Sequence, residues 1–376
     1  MRPGEAVRIE DFDVTTASDQ QLADYVTYVN RRRVEDQPED PLIPSETVIA
    51  ELRNLPGHIR AFGWLARGVD GGVVAETHGV FQDTPENRQL LQVELGVLES
   101  FRRRGLGSEL LARVLDRAES LGRSNIIGVT SDRVPAGAAF CEALGASPAL
   151  EQHINRLTLA QVDRRLVSSW VEEGPGRAAG YSLVGFDGAC PEDLVEDLAD
   201  LLGVMNDAPR GELAIEDHHL TVEELRASER MALAAGYQRW WLLARHDTTG
   251  ALVGLTDVSW DPRSPEIIHQ GNTGVRTEHR GRGLGKWLKA TMLQRILDEL
   301  PAAIDVRTGN ADSNAAMLAI NNRLGFRPHI AWTNWQANLA ELRKRLASLS
   351  SGRTSPQGAG GTSAVQAAAR VQATAR

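Results

Sequence analysis

Residues 101–107 read Phe-Arg-Arg-Arg-Gly-Leu-Gly, and residues 279–285 read His-Arg-Gly-Arg-Gly-Leu-Gly. Gly105 and Gly283 stand 178 positions apart, and the next shared landmark, Ala143-Leu144-Gly145 against Arg323-Leu324-Gly325, stands 180 apart. Self-similarity at a fixed separation marks a duplicated unit. A chain of 376 residues suits two such units, each long enough to bury a core of its own.

The flanking patterns agree in both copies. Before each glycine-rich turn lies a hairpin: Ile59–Leu65 and Val73–Phe81 around Asp70-Gly71-Gly72, then Trp240–Arg245 and Ala251–Trp260 around Asp247–Gly250. Turn residues between β-rich runs are the hairpin signal. The strands Gln92–Leu98 and Asn272–Arg276 then lead into the glycines. The spacing of Leu110, Leu111, Val114 and Leu115, and of Leu288, Met292, Leu293 and Ile296, predicts helices over Ser108–Leu121 and Lys286–Leu300. Strands Asn125–Thr130 and Ala303–Thr308 follow, then a small-residue helix ending at Gly145 or Gly325, where glycine suits a left-handed cap. Each copy opens with a strand and two helices: Val7–Phe12, Asp19–Arg33 and Ser45–Asn54, then Tyr181–Phe186, Pro191–Asn206 and Thr221–Gly236.

These patterns place an N-terminal domain at 1–159, a linker at 160–179, a C-terminal domain at 180–347 and a disordered tail at 348–376. The tail is expected to stay unfolded because its Ser/Gly/Ala/Thr/Gln-rich sequence has too little apolar content to pack.

Composition narrows the function. Hydrophobic residues make up 42% and charged residues 24%, as in ordinary globular proteins. The net charge of −9 argues against general nucleic-acid binding, so an anionic ligand needs a local basic cluster. Cys141 and Cys190 form neither a disulfide framework nor a metal spacing, and no signal-peptide pattern or apolar run of membrane-spanning length occurs. The expectation is a cytoplasmic protein with no membrane or nucleic-acid partner, acting as a monomer or homodimer.

The repeated turn itself puts backbone N–H groups at a helix start beside arginines. Uncapped donors and the positive helix end make an anion site, and a pyrophosphate is its natural guest. A dinucleotide fingerprint fails: from Gly283 its third glycine falls on Leu288, and from Gly281 on Lys286. A P-loop fails as well, since Trp287 follows Gly285-Lys286 where Ser or Thr is needed.

The pattern Arg-x-x-Gly-x-Gly between strand and helix resembles the pyrophosphate loop of the GNAT acetyltransferases. It reads Arg102-Arg103-Arg104-Gly105-Leu106-Gly107 in one copy and Arg280-Gly281-Arg282-Gly283-Leu284-Gly285 in the other. The second copy adds Asn310-Ala311-Asp312-Ser313-Asn314 and ends Leu324-Gly325-Phe326, also as in that family. The resemblance covers nearly the whole chain and is closest to the tandem actinobacterial type. It implies an α/β (α+β) fold of two GNAT-type domains, each a mixed, mostly antiparallel sheet flanked by helices with a splayed central strand pair.

For chemistry, the resemblance implies acetyl-CoA as co-substrate and no metal, with an acetyl group passing to an amine by direct attack in a ternary complex. The backbones of Val275 and Val97 would face the thioester, and Ser108 and Lys286 would extend the two loops as cofactor contacts. Where many relatives carry a tyrosine that protonates the thiolate, this chain has Cys141 and Asn321. Base candidates on neighbouring strands are Glu94 in the first copy and Asp257 or His269 in the second. Asn310 and Asn314 are expected to contact the cofactor, whereas the first copy has Thr130, Val134 and Ala146 at the positions of Asn310, Asn314 and Phe326. That difference points to the C-terminal domain as the catalyst. Asp207, Glu212 and Glu216, near His218-His219, would attract a cationic acceptor, and adjacent histidines lack metal-ligand spacing. The favoured acceptor is a small-molecule amine. A protein N-acetyltransferase and an acetyl-CoA-binding regulator or scaffold without turnover stay open.

Overall fold

The computed structural model describes residues 7–351 and divides into two compact units. The expected tail lies almost wholly outside these residues. In chain order the first half runs β1 (Arg8–Phe12), α1 (Asp19–Asp36), α2 (Ser45–Arg53), β2 (Ile59–Arg67), β3 (Val73–Gln82), β4 (Leu90–Val97), α3 (Leu106–Ser120), β5 (Asn125–Ser131), α4 (Ala136–Ala143), β6 (Ser147–Thr158) and α5 (Arg164–Arg177). The second half repeats the order: β7 (Tyr181–Asp187), α6 (Val195–Leu202), α7 (Val222–Ala234), β8 (Gln238–His246), β9 (Leu252–Asp261), β10 (Ser264–Val275), α8 (Leu284–Glu299), β11 (Asp305–Ala311), α9 (Ala315–Leu324), β12 (Arg327–Asn338) and α10 (Leu339–Ser351).

Local chemistry starts the helices. Ser18 and Gln21 form a capping box at α1, and Thr221 and Glu224 form one at α7. The segment expected as a linker holds α5, which runs through Trp170 and takes Gly174-Pro175-Gly176 into the helix. Gly174 is needed there because a Cβ would sit 2.3 Å from the Trp287 ring of α8.

The two halves do not correspond to the two units. Among the described residues the first unit comprises 7–151, 210–216 and 330–351, and the second comprises 152–209 and 217–329. In the first, the sheet order is β1-β2-β3-β4-β5-β12, all neighbours antiparallel except β4 and β5. In the second it is β7-β8-β9-β10-β11-β6, all antiparallel except β10 and β11. Each unit is thus completed by the last strand of the other half. The following helix goes with its strand: α10 packs Leu339, Leu342 and Leu346 on Leu111 and Leu115 of α3, while α5 sets Val167 and Trp170 in the core beside α8.

The exchange fixes residues that are far apart in the chain. Trp335 of β12 pairs with Gly128 of β5, is 6% exposed, and donates from Nε1 to Thr130 Oγ1 at 2.7 Å. Trp335→Ala is therefore expected to cost about 3–5 kcal/mol, the usual range for a large buried aromatic. Urea unfolding followed by circular dichroism checks this, and a loss below about 1 kcal/mol would refute the assigned packing.

Candidate active site

Both units share one backbone feature. In the first, β4 pairs with β5 only at Leu90–Asn125, Leu91–Ile126 and Gln92–Ile127. In the second, β10 pairs with β11 only at Ile267–Asp305, Ile268–Val306 and His269–Arg307. After three residues the parallel register ends, while the outer partners of each strand continue. In the first unit the opening is a cavity of ≈ 150 Å³. Val93, Leu95 and Val97 of β4, Thr130 of β5, Leu111 of α3, Cys141 of α4 and Trp335 line it, with Arg102, Arg103 and Gly105–Ser108 at one end.

That end is the predicted anion loop. Gly105 is the N-cap of α3 with φ 89°, and Gly283 is that of α8 with φ 83°. Neither position has a side chain to accept the first-turn N–H groups, which leaves these donors for a ligand. The turn also needs a second left-handed residue, two positions earlier. The second unit supplies Gly281 at φ 78°, whereas the first has Arg103 at φ 65°. A non-glycine residue held there costs on the order of 1 kcal/mol, and such strain gathers at functional sites.

The first arginine of each loop is committed to the protein. Arg102 Nε donates to the Val97 carbonyl at 3.0 Å and its Nη2 to Glu35 at 2.6 Å. Arg280 repeats this with the Val275 carbonyl at 2.9 Å and Asp207 at 2.7 Å. These two arginines brace the strand end against the loop. Arg104 donates to the Ser100 carbonyl and lies over Phe101. Arg282 lies over Tyr181, and the Lys286 ammonium is 5.5 Å from the Trp170 ring.

On the opposite face of β4 the first unit buries a polar cluster that the sequence reading found only in Glu94. His78 stands directly across from Glu94, and Glu76 across from Gly96. His78 Nδ1 lies 2.9 Å from Glu76, and its Nε2 3.9 Å from Glu94. Burial lowers the His78 pKa, but Glu76 and then Glu94 outweigh this and raise it to about 8. Burial raises the Glu76 pKa. Tyr28 and Arg32 of α1 cover Gly96 so closely that a Cβ would fall 2.0 Å from Arg32 Nη1. Cys141, at the tyrosine position of relatives, has its thiol pushed up to about 12 by burial and Glu142.

The remaining expected residues occupy varied places. Asp257 is 2% exposed, pairs with Arg239 at 2.7 Å, and accepts from Asn272 N and Nδ2 at 2.9 and 3.2 Å. It holds the bulge in β10 between Gln270 and Thr273, so both its oxygens are engaged in structure. His269 is exposed on the last paired residue before the gap. Asn310 accepts from Asn321 Nδ2 at 2.7 Å, and Asn314 caps α9 through Met317 N. Asp207 lies in the second unit, whereas Glu212 and Glu216 lie in the first, where Glu216 binds the Asn87 backbone N–H at 2.9 Å. Among the described residues no group of three or more His, Cys, Asp or Glu could hold a metal ion.

A sheet that parts beside an uncapped, arginine-flanked helix start suits an extended ligand with an anionic end. Residues 31–146 match the acetyltransferase (GNAT) family model. The chain is 26% identical to a tandem GNAT protein from the clavulanic acid biosynthesis pathway, solved without acetyl-CoA, over 89% of this chain and 99% of that one at a TM-score of 0.72. It shares the fold of a GCN5-related N-acetyltransferase from Sphaerobacter thermophilus (16% identity, 89% of this chain, 96% of that one, TM-score 0.60). It also shares the fold of a GCN5-related glucosamine N-acetyltransferase region in a fungal multi-domain β-N-acetylglucosaminidase (14% identity, 89% and 38%, TM-score 0.59). No curated protein matches the chain. The chain is thus similar to the GNAT acetyltransferases over residues 31–146 and to a tandem two-domain GNAT protein over most of its length.

Two outcomes follow from this geometry. Arg103→Gly relieves the left-handed strain and is expected to raise stability by about 1 kcal/mol while weakening acetyl-CoA binding, because Arg103 lines the cavity. Calorimetry and thermal melts read both, and tighter binding in the variant would contradict the role given to Arg103. The second outcome concerns pH. Against the pull of burial, Glu76 and Glu94 raise the His78 pKa from its ordinary 6.5 to about 8, so its pairing contributes fully below pH 6.5 and is lost as pH rises through 8. The melting temperature should fall across that window and flatten in His78→Asn.

Proposed function

We propose that the chain transfers an acetyl group from acetyl-CoA to the amine of a small molecule, by direct attack in a ternary complex, and that the first unit does so. The observation that carries this is the cavity between β4 and β5, closed at one end by Arg103 and the start of α3. Its apolar wall suits a pantetheine arm, and the helix start suits the pyrophosphate. The sequence favoured the C-terminal domain because of Asn310, Asn314 and Phe326. Geometry favours the first unit, because Asn310 and Asn314 serve Asn321 and the α9 cap, and because Lys289 and Phe326 stand where the first unit has Leu111 and Ala146.

Each residue then has a task. The first-turn N–H groups and Arg103 hold the diphosphate, while Arg102 fixes the end of β4. The Val97 backbone faces the thioester, where a donor stabilises the oxyanion that forms as the amine attacks. Glu94 takes a proton from the acceptor ammonium so that the neutral amine can attack, with His78 and Glu76 fixing its position. The departing thiolate takes its proton from solvent, because the buried Cys141 stands where a tyrosine would donate one. Acidic groups at this face favour a cationic acceptor.

The test uses the full chain with acetyl-CoA and a panel of small amines, following thiol release. Gly105→Glu places a carboxylate against the pyrophosphate and is expected to abolish turnover, while Gly283→Glu leaves most of it. The reverse pattern would return catalysis to the second unit. Tight acetyl-CoA binding with no transfer to any amine would favour a regulator.

A further inference from the structure

Lysine is scarce in this chain: Lys286, Lys289 and Lys344 are the only three among 41 Lys and Arg residues. The Lys344 side chain is 76% exposed, and Lys286 is half-buried. Lys289 is 2% exposed. It sits on α8 at the position that Leu111 holds on α3, and Leu111 lines the cavity of the first unit. Its Nζ is 5.3 Å from the centre of the Phe326 ring, and Phe326 stands where the first unit has Ala146, another lining residue. The amine therefore belongs to the gap of the second unit, between β10 and β11.

That gap also holds an unsatisfied amide. Asn321, at the position of the lining residue Cys141, is fully buried and its Oδ1 has no hydrogen-bond partner. A donor brought into the gap would satisfy it. Lys289 also lacks a compensating carboxylate: burial alone lowers its pKa to about 7. At pH 7 about a thousandfold more of this amine is neutral than of an ordinary lysine. Arginine cannot shed its proton, so in an arginine-rich chain only lysine offers a nucleophile here.

Given that the start of α8 binds acyl-CoA as its family does, we propose that Lys289 is an internal acyl acceptor, acetylated in the gap of the second unit. Neutral Nζ attacks the thioester carbonyl carbon. The N–C bond forms, the C–S bond breaks, and coenzyme A leaves as a thiolate that takes up the proton shed by the nitrogen. The product is an uncharged amide, which removes a buried cation and supplies an N–H donor to the gap. This reaction is separate from amine acetylation in the first unit.

The experiment incubates the full chain with labelled acetyl-CoA and measures acetylation at all three lysines by mass spectrometry. Lys289 is expected to exceed Lys286 and Lys344 by about tenfold or more, with a rate that rises through pH 7 as the amine deprotonates. Label should persist in Gly105→Glu, which disables the first loop, and vanish in Gly283→Glu and Lys289→Arg. A Lys289 left unlabelled, or labelled no more than Lys344, overturns the proposal. Calorimetry on the two glycine variants separates the causes. Acetyl-CoA bound by Gly105→Glu without label at Lys289 defeats this inference alone. Binding undisturbed by both substitutions together defeats the loop assignment and this inference with it.

Discussion

Everything at the site depends on two parallel strands parting after three residue pairs. A strand that loses its neighbour exposes backbone N–H and C=O groups, which are costly unless something satisfies them. Here β4 stays anchored through β3, where Val97 remains paired with Ala75, and β5 stays anchored through β12. Each strand can therefore leave the other without leaving the sheet. The Arg102 bond to the Val97 carbonyl pins the end of β4 just before the chain turns into α3. One backbone decision thus sets a slot for an extended ligand and an anion site at the slot's mouth.

The exchange of β6 and β12 makes the slot depend on the whole chain. The wall of the first gap includes Trp335 and Leu342, more than 200 positions after the β4 residues that face them. The first unit takes β12 from the far end of the chain, whereas the second closes its sheet by pairing β6 with β11 across the whole run of its own strands. Pairings at such sequence separation require loop closure before they are rewarded, so they slow folding. The return is that each gap is walled by a strand and helix whose sequence is free to differ from that of its own half.

Much of this was legible in the residues. The repeated Arg-x-x-Gly-x-Gly, the hairpins before it and the Leu-Gly ends after it locate both loops, because glycine and turn chemistry act locally. What the sequence hid is non-local. Identical strand patterns do not say which sheet β12 joins, since its apolar alternation fits either one. Asp207 read as an acceptor-site charge, yet its place opposite Arg280 answers to Glu35 opposite Arg102, a pairing visible only once the loops are folded. The Glu76–His78–Glu94 cluster lies on strands whose alternation was read as ordinary, and the signal that could have revealed it was three ionisable residues on one face of a buried hairpin. Strand β10 was expected over Asn272–Arg276 but begins at Ser264, because its bulge between Gln270 and Thr273, opposite Asp257 of β9, breaks the alternation.

The duplication kept one half of the site and changed the other. Both helix starts retain the uncapped turn, with left-handed residues at matching places. Among the differences between the gaps, Leu111, Thr130, Cys141 and Ala146 in the first answer to Lys289, Asn310, Asn321 and Phe326 in the second. An apolar wall of modest side chains leaves room for an arm and gains by covering it. A wall of amides and a buried amine must find partners for each polar group, and Asn310 and Asn321 partly do so by binding each other. On the proposed function the loop selects the class of ligand, and the lining of the gap decides what each unit can do once that ligand is held.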